Sequence, residues 1–302
     1  MTDLCKGRVV VVTGAGRGIG RAHALAFAAE GASVVVNDVG VAIDGSNASA
    51  GPAQDVVDEI VAMGGRAVAN TDDVADWAGA GRLIDTALSE FGSLDVLVNN
   101  AGRSIRRSLE LTFDRFHDFE RTMQLNYFGA IRLVMGLAPT MLERKSGHVI
   151  NISSIAVIVG TSPRFSAYAA SKSALDAFSR SAAAEFSDRN VAFTTINMPL
   201  VRTPMIGPTS IYDSVPTLTP DEAAKMITDA IIDRPKRVAT RLGIFMQVMN
   251  ALAPKSTEIV MNTVFKTFPD SEAAKGADEP AKKTEASSEQ VALAALLKGI
   301  HV

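Results

Sequence analysis

The chain has 302 residues, 47% of them hydrophobic, with a net charge of −3 and a single cysteine, Cys5. That is enough for one large domain with a well-buried core, and so weak an acidic balance excludes an overall nucleic-acid binder. One cysteine excludes an internal disulfide and fits a reducing compartment, and the scattered His23, His117, His148 and His301 lack zinc-type spacing, so no metal is expected.

The N-terminus carries no secretory pattern, because its short Val-rich run stops at a glycine loop. No apolar stretch approaches the ~18 residues of a membrane-spanning helix, and a cytoplasmic location is expected. Val- and Ile-rich runs at 8–13, 33–37, 66–70, 94–99, 148–153 and 191–197 are predicted strands. Periodic segments at 18–30, 51–63, 77–91, 113–144 and 166–188 are predicted helices. Continuous apolar strands alternating with helices indicate an α/β fold, a parallel sheet covered on both faces. A polar loop over 41–51 reads as padding.

The pattern changes after about residue 204. Thr219-Pro220-Asp221-Glu222 predicts a helix start, with Thr219 as N-cap and acids in the first turn, running to about Asp233. Two apolar segments follow at 243–253 and 257–268. From Asp270 to Glu289 the composition is that of a disordered linker. The expected organisation is a core over 1–205, a C-terminal lid or interface extension over 206–269, and a disordered tail over 270–302.

Three groups of residues carry chemistry. Gly14, Gly18 and Gly20 sit where the first strand hands over to a helix, so backbone N–H groups can approach a pyrophosphate there. Asp38 closes the second strand about twenty residues on, where a ribose 2′-hydroxyl is read. A carboxylate at that point repels a 2′-phosphate and argues for NAD, while Arg17 in the loop favours NADP. Tyr168 and Lys172 stand four residues apart, hence on one helix face. There the Lys charge favours the phenolate and suits the pair to move a proton at a carbonyl or alcohol oxygen.

Taken together, Thr13-Gly14-x-x-x-Gly18-x-Gly20, Asp73-Val74, Asn99-Asn100-Ala101-Gly102, Asn126, the serines before Tyr168, and Tyr168-x-x-x-Lys172 resemble the short-chain dehydrogenase/reductase family, in family order over roughly residues 7–205. The resemblance implies a Rossmann-type doubly wound parallel sheet in a single domain with a helical C-terminal extension, assembled as a homodimer or homotetramer. It implies Tyr168 as acid/base and Lys172 as its tuner and ribose anchor. Asn126 becomes a structural and catalytic residue, and a serine binds the reacting oxygen. That serine is Ser153 or Ser154; the Ile-Ser-Ser match favours Ser154. The cofactor contacts implied are Gly14, Arg17, Gly18, Ile19, Gly20, Asp38, Asp73, Val74, Asn99, Ala101 and Gly102. Pro199, Val201 and Thr203 join them, in a loop that lacks the family's glycine.

Residues 7–98 are similar to 3-hydroxyacyl-CoA dehydrogenases, and those from about 99 to 271 to bacterial fatty acyl-CoA reductases. Both imply a long-chain, lipid-like substrate. Arg106, Arg107, Arg234, Lys236, Arg237 and Arg241 are read as solvated charges, or as contacts for CoA phosphates or an anionic membrane. The competing readings are a dehydrogenase of steroids or other small ketones and alcohols, and an NAD(H)-binding interaction module without turnover.

Overall fold

Four valines and a threonine, Val9–Thr13, form β1, and all five are buried, as β-branched residues in a doubly covered strand should be. The computed structural model describes residues 3–41, 51–203, 206, 217–267, 270 and 272–275. After β1 come α1 (Gly18–Ala29), β2 (Ser33–Asn37), α2 (Gly51–Ala62), β3 (Arg66–Asn70), α3 (Trp77–Phe91), β4 (Val96–Asn99), α4 (His117–Met123) and α5 (Ala130–Glu143). β5 (Gly147–Ser154), α6 (Ile155–Ile158), α7 (Ser166–Glu185), β6 (Val191–Met198), α8 (Pro220–Asp233) and β7 (Arg237–Ala239) follow. The described chain ends in α9 (Arg241–Leu252), α10 (Pro254–Thr267) and α11 (Glu272–Lys275).

The strands pair in parallel in the order β3-β2-β1-β4-β5-β6-β7. Successive side chains leave a strand on opposite faces. Val10, Val12, Val34, Val36, Val98 and Ile150 therefore pack with Phe27, Ile60 and Ile227 of α1, α2 and α8. Val9, Val11, Val35, Leu97 and Val149 pack with Leu83, Leu133 and Leu137 of α3 and α5. The strand order reverses between β1 and β4, which opens a crevice at their carboxyl ends. In doubly wound sheets that crevice holds the ligand.

The predicted doubly wound sheet is present, with strand ends displaced by a residue or two. The helix start at Thr219 is a full capping box: Thr219 Oγ1 accepts from the Glu222 N–H at 3.2 Å, and the Thr219 N–H donates to Glu222 Oε2 at 2.7 Å. Three expectations need correction. The segment after Pro235, read as a run of charges, contains the edge strand β7, which pairs with β6 through Thr195, Ile196 and Asn197. The predicted helix 113–144 starts later and carries a π-helical turn, Gln124–Gly129, between α4 and α5. The continuous run His117–Glu143 is long and apolar enough to cross a membrane by length and composition, yet Leu133, Leu137 and Met141 bury it against the sheet as a core helix.

The stretch expected to be disordered opens with anchored residues, since Asp270 accepts from the Ser108 N–H and 272–275 form α11. Most of the 41–51 loop, residues 204, 205 and 207–216, and 276–302 lie outside the described residues.

Two buried histidines make the fold acid-sensitive. Burial holds His23 down to about 3. Burial, helped by Arg234 and Arg8, holds His148 down to about 3. Both are neutral in the fold, so between about 3 and the ordinary ~6.5 the unfolded chain binds more protons. Their stability contribution is complete above pH ~6.5 and is lost below it at up to ~1.4 kcal/mol per pH unit for each histidine. Urea midpoints are expected to fall clearly between pH 7 and pH 5. An unchanged midpoint would contradict this.

Candidate active site

The glycine loop after β1 is shaped by steric exclusion. Gly14 and Gly18 have positive φ, +61° and +55°. A Cβ on Gly20 would lie 2.1 Å from the Gly14 carbonyl oxygen, and one on Gly14 would lie 2.9 Å from Ala101 Cα. Asn100 ties this loop to β4: its Nδ2 donates to the Thr13 and Gly14 carbonyls at 2.9 and 3.1 Å. Thr13 Oγ1 accepts from the Asn100 and Ala101 N–H groups at 3.0 and 2.9 Å. Arg17, the N-cap of α1, makes no side-chain cap. The first α1 bond runs from Arg21 to Arg17, so the Gly18, Ile19 and Gly20 N–H groups have no acceptor inside the helix. Three donors at a helix N-terminus, approached through side-chain-free backbone, suit a pyrophosphate.

Asp38 lies beside the loop, where it accepts from the Gly16 N–H at 2.9 Å and the Gly40 N–H at 2.8 Å. Arg17 donates to the Val41 carbonyl at 2.9 Å. Asp73 caps its own turn, accepting from the Ala75 N–H at 2.8 Å, and Val74 is buried under Gly129. Thr203 approaches Gly18, its Cγ2 3.4 Å from where a Cβ would stand. Pro199 and Val201 are buried, and Val201 bridges to Leu218. Asn99 points inward: its Nδ2 donates to Asn151 Oδ1 at 2.8 Å, and Asn151 donates to Ser179 Oγ at 2.7 Å. Its Nδ2 fastens β4 to β5, and Asn151 carries the link on to α7, while Asn99 Oδ1 is buried without a hydrogen bond among the described residues.

The second cluster forms where β4, β5, α7 and the π-turn meet. Lys172 is 4% exposed and its Nζ donates to the Ile152 carbonyl at 2.7 Å. A Cβ on Gly102 would fall 3.3 Å from both Lys172 Nζ and Asn126 Oδ1, so glycine leaves that space open. Asn126 Nδ2 donates to Arg103 O and Ser171 Oγ at 2.9 Å, and Oδ1 accepts from the Arg103 N–H at 2.7 Å. Ser171 in turn donates to the Tyr168 carbonyl at 2.7 Å. Tyr168 is half-buried one turn before Lys172, on the same face of α7. Burial pulls the Lys172 ammonium down to about 8, with no charged neighbour among the described residues to oppose it.

The two serines differ. Ser153 Oγ is sealed in the strand without a hydrogen bond among the described residues. Ser154 ends β5 and caps α6, accepting from the Ala156 N–H at 3.2 Å.

A second set of contacts had no sequence signal beyond scattered charges. Arg164, at φ +68°, pairs with Asp270 at 3.2 Å, donates to Phe265 O at 3.0 Å and stacks 4.0 Å over the Phe265 ring. Arg107 pairs with the buried Asp118 and donates to Ala274 O at 2.9 Å. These contacts clamp α10 and α11 onto the loops that precede Tyr168 and follow Gly102. The reading of Arg107 and Arg237 as solvated charges fails: Arg237 donates to Gln247 at 3.1 Å and faces buried Asp176. The role of Asn100 was legible only as part of the Asn-Asn-Ala-Gly run.

A buried ammonium without a counter-ion opposes folding. Replacing Lys172 by Met, similar in length and uncharged, is expected to stabilise the protein by about 1–3 kcal/mol, seen as a raised melting temperature at pH 7. A fall in melting temperature would contradict the view that this charge is held at a cost.

Residues 8–211 match the short chain dehydrogenase family. The chain is 48% identical to the fatty acyl-CoA reductase of Acinetobacter baylyi, over 91% of this chain and 90% of that one. It is 39% identical to the peroxisomal hydratase-dehydrogenase-epimerase of Saccharomyces cerevisiae, over 66% of this chain and 22% of that longer protein. A solved 7α-hydroxysteroid dehydrogenase, complexed with NADH and 7-oxo glycochenodeoxycholic acid, is similar with a TM-score of 0.68 at 30% identity, covering 76% of this chain and 90% of the other. Both resemblances drawn from the sequence, to hydroxyacyl and to fatty acyl-CoA enzymes, thus have relatives behind them. With its parallel seven-stranded sheet and its family match over two thirds of its length, the chain belongs to the short-chain dehydrogenase family of oxidoreductases.

Proposed function

We propose that this oxidoreductase uses NAD(H) to interconvert a carbonyl and an alcohol on a lipid-like substrate: a fatty acyl-CoA, a fatty aldehyde or a 3-hydroxyacyl-CoA. The observation that carries the reading is the convergence of Lys172, Asn126 and Gly102 beside Tyr168, at the sheet end where the glycine loop opens. Bound NAD(H) supplies the hydride acceptor or donor. Tyr168 gives a proton to the substrate oxygen in the reductive direction and takes it back in the other. Lys172 stabilises the negative charge left on the phenol oxygen, and Asn126, through Ser171, holds the turn of α7 that carries both. Ser154 is the serine that binds the reacting oxygen: the Ala156 N–H orients its Oγ, and its own O–H remains to donate.

Support for NAD over NADP comes from Asp38. Its carboxylate is set in place by two backbone N–H groups at the loop, where it would accept from ribose hydroxyls and repel a 2′-phosphate. Arg17, the residue favouring NADP, is engaged with the Val41 carbonyl. The lipid-like substrate is supported by the fatty acyl-CoA reductase similarity over nine-tenths of both chains.

Tyr168→Phe is expected to lower kcat by ~10²–10⁴ without loss of fold. Ser154→Ala is expected to lower it ~10²–10³, and Ser153→Ala to do much less. Substantial turnover in Tyr168→Phe, or the reverse order of the serines, would overturn the assignment. A panel of fatty aldehyde, fatty acyl-CoA, 3-hydroxyacyl-CoA and hydroxysteroid is expected to favour the long acyl chains. Indifference to chain length would remove the lipid reading. NADH is expected to exceed NADPH in kcat/KM, with Asp38→Ala narrowing the gap; a higher value for NADPH would refute the NAD assignment.

A further inference from the structure

Helix α9 turns its apolar side outward. Gly243, Gln247 and Asn250 lie on the side that meets the fold. A Cβ on Gly243 would come 2.5 Å from Ile158 Cδ1, Gln247 accepts from Arg237, and Asn250 covers Gly160. The opposite side carries Ile244, Phe245, Val248, Met249 and Leu252, with Phe245 57% and Leu252 78% exposed. That spacing makes one apolar stripe along the helix. Ile259 and Val260 of α10 extend the apolar surface, at 68% and 54% exposed. Globular helices turn such a stripe inward, and an exposed one of this size marks a contact surface.

The charges around the stripe indicate what it meets. Arg241 stands at the head of the α9 stripe, three and four residues before Ile244 and Phe245. Lys255 and Lys266, four residues before and seven after Ile259, fall on the same side of α10. All three are exposed. Residues 234–267 hold six cations, Arg234, Lys236, Arg237, Arg241, Lys255 and Lys266, against one carboxylate, Glu258, in a chain whose net charge is −3. An apolar stripe with cations at its ends complements an anionic lipid surface: the apolar side chains enter the acyl boundary while Lys and Arg stems reach back to the phosphates. A second copy seated symmetrically on the same face would bring these cations towards one another.

We propose that the α9–α10 face docks the enzyme peripherally on anionic lipid. The inference goes beyond the chemistry proposed above and does not depend on it. The test is flotation of the full chain with phosphatidylcholine vesicles, with and without phosphatidylglycerol. Sedimentation velocity of the same proteins without lipid and NADH-dependent reduction of a short, water-soluble aldehyde accompany it. The wild type is expected to float with the phosphatidylglycerol vesicles and to be partly released by salt. Phe245→Ser with Leu252→Ser, and separately Arg241→Glu with Lys255→Glu, are each expected to lower vesicle binding ~10-fold or more. Their aldehyde reduction and oligomeric state are expected to match the wild type. The inference is overturned if the wild type stays unbound, if the serine variant floats like the wild type, or if the variants lose a subunit contact, which would make the face an interface between copies. A wild type that reduces the aldehyde but does not bind vesicles removes this inference alone; a wild type that binds vesicles but reduces no aldehyde removes the proposed chemistry alone.

Discussion

An ammonium group taken out of water, with no carboxylate to receive it among the described residues, constrains everything packed around Lys172. Its Nζ donates to the Ile152 carbonyl at 2.7 Å, so the end of β5 has to lie within reach of a lysine side chain on the second turn of α7. The space beside it is kept by Gly102, whose missing side chain leaves the amine and Asn126 unobstructed. Asn126 reaches this point because α4 runs into a π-turn before α5, a distortion of the kind that clusters at functional sites. The helix, the strand end, the loop after β4 and the π-turn therefore form one arrangement and cannot be adjusted separately.

The same crevice is shaped from its other side by backbone. The loop from Thr13 to Gly20 is held by Asn100 and Thr13 across β1 and β4, the two strands between which the sheet reverses order. Asp38 fastens to this loop from the end of β2. The hydrogen bonds that set the crevice thus come from strand ends and loops, while the valine-rich strands and their two apolar layers supply rigidity beneath. At the rim, Arg164 and Arg107 lock the C-terminal helices to the loops flanking the cluster, through charges largely removed from solvent. The outward-facing apolar stripe of α9 belongs to the same C-terminal extension.

Much of this was legible in the sequence, for identifiable physical reasons. Buried parallel strands need unbroken β-branched runs, so β1, β2, β4, β5 and β6 announced themselves. The Thr219 capping box was readable because its partners are three residues apart. β7 was not, being three residues long and set among Pro and cations whose partners, Asp176 and Gln247, are distant in sequence. The π-turn has no periodic signature of its own. Asn99 was read with its neighbours as lining the cofactor; the side-chain bond it makes to Asn151, 52 residues away, had no local signal. The two serines, of which the Ile-Ser-Ser match favoured Ser154, are both buried and differ in that Ser154 Oγ accepts from the Ala156 N–H, a bond with no sequence signal. The clamp from Arg164 to Asp270 joins positions 106 residues apart that nothing local relates.

The account rests on Lys172 being a desolvated amine. The direct measurement is an NMR titration of the lysine side chains, with the Lys172 signal assigned by its absence in Lys172→Met. The Lys172 ammonium is predicted to titrate near pH 8. If Lys172 titrated at the ~10.4 of a free lysine, the ammonium would be in water and the site would not be built as described.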